Sequence, residues 1–317
     1  MSARRYAIIG TGAVGGFYGA RLARAGHDVH FLLHGDYEHV RDRGLRLDSV
    51  DGDIVLPRVN ACAGTADMPP VDVAVVALKA TRNHLLGELL APLAAGGAAV
   101  LMLQNGLGNE AVVADAVPGA QVLGGLCFLC SNKIGPGHIA HLDYGFVTFG
   151  EHRPDGSPAG VTETLRQLAE DFTAAGVETR LADDLVAARW KKLIWNVPFN
   201  GLSVVLDMQV DRIMADPDTR AQAEELMREV AAASGACGRP IGREFIDTML
   251  ALTEKMTPYR TSMKIDHELG RPMEVEAIFG SPLRAATAAG CRCPRLEALY
   301  DRLKRIDAQH AAAHPGA

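Results

Sequence analysis

The period of apolar and polar positions changes once along the chain, near residue 181. Tyr6-Ala-Ile-Ile-Gly10 is a short apolar run that predicts a buried strand. Residues 17–25 carry apolar side chains at helical spacing, Gly26-His27 ends that run, and residues 28–33 (Asp-Val-His-Phe-Leu-Leu) predict a second strand. Residues 71–78 and 98–103 are nearly continuous apolar strands, as expected in a sheet covered on both faces. After Val122 the pattern alters: residues 138–144 and 146–149, split by Gly145, predict an antiparallel hairpin that extends the sheet. Residues 157–175 read as a helix and 177–181 as a last strand. Asp183-Asp184 then opens a new helix with acidic residues suited to its first turn.

From Leu185 onward the strand period is lost. Helical stretches cover 185–206, 218–235, 243–255, 274–289 and 295–308, with Gly238, Pro240, Gly270, Pro272, Gly290 and Pro294 at the joins and a frayed tail over 311–317. The predicted fold is α/β: a Rossmann-type domain over residues 1–181, followed by an all-α domain over 182–317.

Composition narrows the function classes. A chain of 317 residues has length for two domains and ample core. A net charge of -6 gives no general attraction for nucleic acid or an anionic membrane. The most apolar window, 85–103, contains Glu88, Pro92 and Gly96-Gly97, which makes it helix, turn and buried strand rather than a membrane span. Met-Ser-Ala-Arg-Arg enters a strand directly, without a signal peptide's apolar core, so the expected location is cytoplasmic. Six cysteines fit that compartment as reduced thiols; Cys127 and Cys130 form a C-x-x-C in an apolar run, where a metal site would need more ligands and a redox pair a helix N-terminus. No metal is expected. The apolar faces of the C-terminal helices suit a core or a homodimer interface equally.

The chemistry starts at Gly10-Thr-Gly12-Ala13-Val14-Gly15, a G-x-G-x-x-G between a predicted strand and a predicted helix. Gly10 permits the tight turn, Gly12 lets backbone approach a pyrophosphate, and Gly15 allows close helix–strand packing. The helix N-terminus behind them supplies free N–H groups and a favourable dipole for phosphate. The end of the second strand discriminates NAD from NADP, and here it holds His34, then Gly35 and Asp36. Arg41, Arg43 and Lys79 would add positive charge there and Asp36 would oppose it, so NADPH and NADH both stay open. Lys79 and Asn105 follow the strands at 71–78 and 98–103, at the carboxyl ends where ligands bind in such sheets.

In the second half the informative stretch is Lys192-Leu-Ile-Trp-Asn196-Val-Pro-Phe-Asn200. Four-residue spacing puts Lys192, Asn196 and Asn200 close to one helix face, a cation and two carboxamides suited to a substrate with a carbonyl and a carboxylate. Lys191 lies about 100° around the helix and does not share that face. Pro198 removes the bond to the Ile194 carbonyl and predicts either a kink or a helix boundary.

Over nearly its whole length the chain resembles the ketopantoate reductase family (2-dehydropantoate 2-reductases). The residues that carry the resemblance are Gly10 to Gly15, Leu78-Lys79-Ala80, Gln104-Asn105-Gly106, Trp190-Lys-Lys192 through Asn200, and Ser262-Met263 followed by Glu274. It implies active-site roles for Asn105, Lys192, Asn196, Asn200, Ser262 and Glu274. Lys192 would be the general acid, Asn196, Asn200 and Ser262 would hold substrate, and Glu274 would meet the substrate hydroxyl or the lysine. It also implies NADPH, although His34 stands where the family commonly has arginine, and Asn132-Lys133 match no role. The expected reaction is NAD(P)H-dependent reduction of 2-dehydropantoate to pantoate in a cleft between the domains. The alternatives are the same chemistry on another 2-oxo or β-keto acid, and a dinucleotide sensor without catalysis.

Overall fold

The computed structural model describes residues 3–256 and 258–313. The chain divides into two compact units, residues 1–104 with 109–185, and residues 105–108 with 186–317.

The first unit is built on a ten-stranded sheet. Its strands are β1 (Arg5–Ile9), β2 (Asp28–Leu32), β3 (Leu45–Ser49), β4 (Ile54–Leu56), β5 (Asn60–Cys62), β6 (Val73–Val76), β7 (Ala99–Met102), β8 (Val122–Gly135), β9 (His138–Glu151) and β10 (Thr179–Leu181). They lie in the order β4-β3-β9-β8-β7-β6-β1-β2-β5, with β10 also paired to β9. β5, β2, β1, β6, β7 and β8 form one parallel run. β1 sits between β2 on one side and β6 on the other. The strand order therefore reverses at β1, and its carboxyl end is the place where this architecture opens a crevice for a ligand.

The continuous apolar runs of the central strands follow from this topology. Tyr6, Ile8, Val73, Val75 and Leu101 face a core shared with Phe17, Tyr18 and Leu22 of the helix Ala13–Arg24 and with Leu165, Leu168 and Phe172 of the helix Glu163–Ala174. The alternate residues Ala7, Ile9, Ala74, Val76, Val100 and Met102 face a second core with Leu86, Leu90 and Leu93 of the helix Leu86–Ala95. With a two-residue period and both faces covered, β1, β6 and β7 carry a charged side chain only at the first residue of β1, Arg5.

The predicted hairpin over 138–149 is corrected. Residues 138–151 form one long strand, β9, and its antiparallel partner is β8, which precedes it. Gly145 marks a bulge rather than a turn: Tyr144 and Gly145 have φ of 59° and 131°, and the register against β8 slips between Phe128 and Leu129. β9 is long enough to pair β3 along its first half and β10 along its second. The small strands β3, β4 and β5 lacked a periodic signal of their own and were not anticipated.

The second unit is helical, with no strand among its described residues. Its helices are Leu185–Val205, Val210–Ala215, Pro217–Ala236, Arg243–Glu254, Ser262–Glu268, Ser281–Ala288 and Pro294–Ala313. The helix expected over 274–289 is in fact a π-helical turn, Glu276–Gly280, leading into Ser281–Ala288. The core gathers Trp190, Ile194, Val197 and Phe199 with Leu226, Met227, Val230, Phe279 and Leu296. Among the described residues no helix is long and apolar enough to cross a membrane.

Candidate active site

The glycine turn sits at the carboxyl end of β1. Gly10 has φ 102°, and a Cβ there would come within 2.7 Å of the Leu78 backbone nitrogen. A Cβ on Gly15 would be driven into the Gly10 carbonyl oxygen and to 2.9 Å from Ile8. Both glycines are therefore required for the turn to close against β1 and the end of β6. Gly12 differs: nothing lies within 4 Å of where its Cβ would be, so open space faces its backbone. Gly12 is also the N-cap of the helix Ala13–Arg24, with no side chain capping it. The first N–H groups of that helix, at Ala13 and Val14, have no intrahelical acceptor to reach. An open, uncapped helix start behind a tight glycine turn fits a dinucleotide pyrophosphate.

Around the turn, Thr11 Oγ1 donates to Leu32 O at 2.9 Å and ties the turn to the end of β2. His34, just beyond, is exposed. Lys79 is half-buried and starts the short 3₁₀ turn Ala80–Leu85. Gln104 Nε2 donates to Leu78 O at 2.8 Å and to Asn83 Oδ1 at 2.8 Å, which locks the end of β7 to the segment after β6. This buried amide clamp fixes where the chain leaves the sheet immediately before Asn105.

Asn105 itself belongs to the second unit, together with Lys192, Asn196, Asn200, Ser262 and Glu274. The helix Leu185–Val205 runs through Pro198 without ending there. Lys192, Asn196 and Asn200 are 8%, 6% and 4% exposed, while Lys191 is exposed with its ammonium 6.0 Å from the Phe245 ring centre. Burial thus separates the two adjacent lysines. A lysine and two asparagines on one buried helical stripe are costly unless that stripe meets polar partners. Asn200 Oδ1 is buried without a hydrogen-bond partner, an acceptor that only an added donor can satisfy.

Two contacts draw the other predicted residues toward this stripe. Ser203 Oγ donates to Asn200 O at 3.1 Å and lies 2.8 Å from Thr261 Oγ1. Thr261, fully buried, caps the helix Ser262–Glu268 by accepting from Lys264 N at 3.2 Å. The end of the Lys192 helix is thereby tied to the start of the helix that opens with the exposed Ser262. On another side, a Cβ on Gly201 would lie 2.5 Å from Leu299 and 3.0 Å from Phe279, so the helix beside Asn200 packs directly against the π-helical turn. Glu274, 9% exposed, leads into that turn, and its carbonyl accepts from Ile278 N at 3.1 Å. Leu107 N donates to Ala277 O at 2.9 Å, which anchors the Asn105 loop to the same turn. Single π-helical turns inside helices recur at functional sites because they re-aim side chains.

Sequence reasoning missed Thr261, Ser203 and the Gln104 clamp. None has a motif, and only Gln104, adjacent to Asn105, lies in a stretch that carries the family resemblance. It also assigned nothing to Lys133, which lies 2.5 Å from Asp36 Oδ2 and 3.4 Å from Thr11 O. Arg41, expected to add charge near His34, is exposed and pairs with its neighbour Asp42 at 2.8 Å.

The chain is similar to known proteins over nearly its whole length. The family profile described as Ketopantoate reductase PanE/ApbA matches residues 6–154, and that described as Ketopantoate reductase PanE/ApbA C terminal matches residues 184–307. A 2-dehydropantoate 2-reductase from Nostoc sp. is 53% identical over 310 residues, covering 98% of this chain and 97% of that protein. A protein of the same name from Mesorhizobium japonicum is 30% identical, covering 94% and 96%. The crystal structure of 2-dehydropantoate 2-reductase from Geobacter metallireducens superposes with a TM-score of 0.91 at 42% identity, over 95% of this chain and 99% of that one.

Proposed function

The chain belongs to the ketopantoate reductase family, and on that footing we propose that it reduces 2-dehydropantoate to pantoate with NADPH as the preferred reductant. The observation that carries the reading is the buried stripe of Lys192, Asn196 and Asn200, with Asn200 Oδ1 awaiting a donor. Ketopantoate has a ketone, a carboxylate and a hydroxyl, so it offers both the acceptors a lysine and carboxamide N–H groups require and the donor that Asn200 lacks.

A nicotinamide dinucleotide held by the first unit would supply the hydride for reduction of the ketone. The chain's part is to manage charge and position. Negative charge builds on the ketone oxygen as the carbon is reduced, and the Lys192 ammonium stabilises it and delivers the proton that makes the new hydroxyl. Asn196, Asn200 and Ser262 hold the carboxylate and the existing hydroxyl, Glu274 accepts from a hydroxyl or orients Lys192, and Asn105 positions the reacting groups from the loop anchored on Ala277. In the first unit Gly10, Gly12, Ala13, Val14 and Gly15 would hold the pyrophosphate, His34 would stand at the adenosine ribose, and Lys79 would meet the dinucleotide from beyond the end of β6. None of the six cysteines forms a disulfide, which supports work in a reducing cytoplasm.

The test is oxidation of NADPH and of NADH by purified protein with ketopantoate and with a panel of other 2-oxo and β-keto acids. Ketopantoate should give the highest kcat/KM, on the order of 10⁴ M⁻¹s⁻¹ or better. A different acid turned over more efficiently would keep the chemistry and replace the substrate. Dinucleotide binding without turnover of any acid would overturn catalysis.

A further inference from the structure

The loop after β2 carries an acidic residue, Asp36, close to the position at which a carboxylate accepts the ribose 2′-hydroxyl of NAD and repels the 2′-phosphate of NADP. In this chain that carboxylate is already engaged. Lys133, near the end of β8, places its ammonium 2.5 Å from Asp36 Oδ2, and the Gly137 N–H donates to the same oxygen at 3.0 Å. Asp36 has a side chain only 11% exposed. Burial pushes its pKa up, and the hydrogen bonds from Lys133 and Gly137 more than offset this, holding it below the usual carboxylate range and ionised.

The same ammonium lies 3.4 Å from Thr11 O, inside the glycine turn, and Thr11 is tied in turn to Leu32 at the end of β2. Ser131 Oγ donates to Ala13 O at 3.4 Å, a second tie from β8 to the turn. One cation therefore spans the two places that a dinucleotide's pyrophosphate and adenosine ribose occupy in this architecture. An ammonium has three donors, Asp36 and Thr11 take two, and the Lys133 side chain remains 32% exposed. Arg41, in the helix after β2, is exposed and pairs with its neighbour Asp42.

We infer that Lys133 selects the dinucleotide: it cancels the charge of Asp36 and gives the 2′-phosphate of NADPH a cation, the part an arginine at position 34 would play. Without it, a dianionic phosphate would face an uncompensated carboxylate. The inference rests on the dinucleotide-dependent reading above.

The experiment is isothermal titration of the purified full chain with NADPH, NADH, 2′,5′-ADP and 5′-AMP, with no oxo acid present. Lys133→Met should weaken NADPH and 2′,5′-ADP about tenfold and leave NADH and 5′-AMP within about twofold. Asp36→Asn should tighten the two 2′-phosphorylated ligands about threefold and leave the other two unchanged. Equal losses for all four ligands in Lys133→Met would make the lysine a structural clasp and overturn the inference, as would no loss at all. If Lys133→Met does not fold, Asp36→Asn decides alone: no tightening, or equal tightening of 5′-AMP, overturns it. These titrations contain no substrate, so failure of ketopantoate turnover leaves them untouched, and failure of selection leaves the reductase reading standing.

Discussion

The surfaces proposed for ligands in the two units are built in opposite ways. In the first, the ligand-facing surface is made by removing side chains: Gly10 and Gly15 have no room for a Cβ, Gly12 faces open space, and the donors on offer are backbone N–H groups. In the second, the surface is made by burying polar side chains that an ordinary core would exclude, Lys192, Asn196, Asn200 and Glu274 among them. A pyrophosphate is common to all dinucleotides and can be read by backbone; a small oxo acid must be told from its relatives, which needs functional groups with fixed directions. The first unit is thus intolerant of added atoms and the second of lost polar atoms. Mutations of each kind should separate binding from chemistry.

The largest effect is expected at Lys192. Lys192→Ala should lower kcat by roughly 100- to 10,000-fold, the range for loss of a positioned general acid. Dinucleotide affinity, measured by fluorescence titration, should stay within about twofold by the same division of labour between the units. Near-normal turnover would remove the lysine from the mechanism. A parallel collapse of dinucleotide affinity would show that Lys192 also serves the dinucleotide.

Next in size is Asn200→Ala. A hydrogen bond from a substrate hydroxyl to a buried acceptor contributes about 0.5–1.5 kcal/mol net, and leaving the substrate's group unpaired costs about 1–3 kcal/mol. The kcat/KM for ketopantoate should therefore fall about 10- to 100-fold. Because Oδ1 has no partner in the protein alone, urea unfolding should shift far less than a buried hydrogen-bonded asparagine would require. Stability lost in proportion to activity would mean that Asn200 serves the helix packing and not the substrate.

The glycines give the converse pair. Gly15→Ala and Gly201→Ala each force a methyl into a filled contact, Gly10 O and Ile8 in the first case, Leu299 and Phe279 in the second. Overpacking of this kind costs typically about 1–3 kcal/mol. Both should lower the melting temperature, but only Gly15→Ala should also weaken dinucleotide binding, since only that methyl distorts the turn. A binding defect in Gly201→Ala of equal size would show that the two strategies are not separable.

How much of this was legible follows the same divide. The glycine turn is contiguous, and its strand–turn–helix setting is visible in the alternation around it, so both the parallel core of the sheet and the tight turn at the end of β1 could be read locally. The Lys192 stripe was legible from its four-residue spacing, and the structure's contribution there is burial, which separates Lys192 from the exposed Lys191. Ser262 and Glu274 have no local signature and were reached only through family resemblance. The long β8–β9 pairing was misread because Gly145 in an apolar run looks like a turn, whereas a positive φ at Tyr144 and Gly145 also suits a bulge within a continuous strand. Lys133 escaped because its partners, Asp36 and Thr11, lie 97 and 122 residues away in the chain, beyond any periodic pattern.

The smallest expected effect is a pH dependence at that last contact. The carboxyl of Asp36 is pushed up by burial and pulled down further by Lys133 and Gly137, so that its pKa in the folded chain lies below the ordinary 3.8. A depressed carboxylate pKa contributes stability that is fully present above the unfolded value and is lost as pH falls through the folded one. Asp36→Asn removes the carboxylate and with it that contribution. The stability gap between the natural chain and the variant, measured by urea unfolding at pH 7, 5 and 3, should be constant from pH 7 to 5 and close toward pH 3 and below. A gap that persists unchanged at pH 3 would mean that the Asp36 loop is held by shape rather than by the charge of Lys133. Lys133 would then be free to serve a ligand phosphate without first being spent on Asp36, and the tightening expected of Asp36→Asn toward 2′,5′-ADP would have to come from removed repulsion alone.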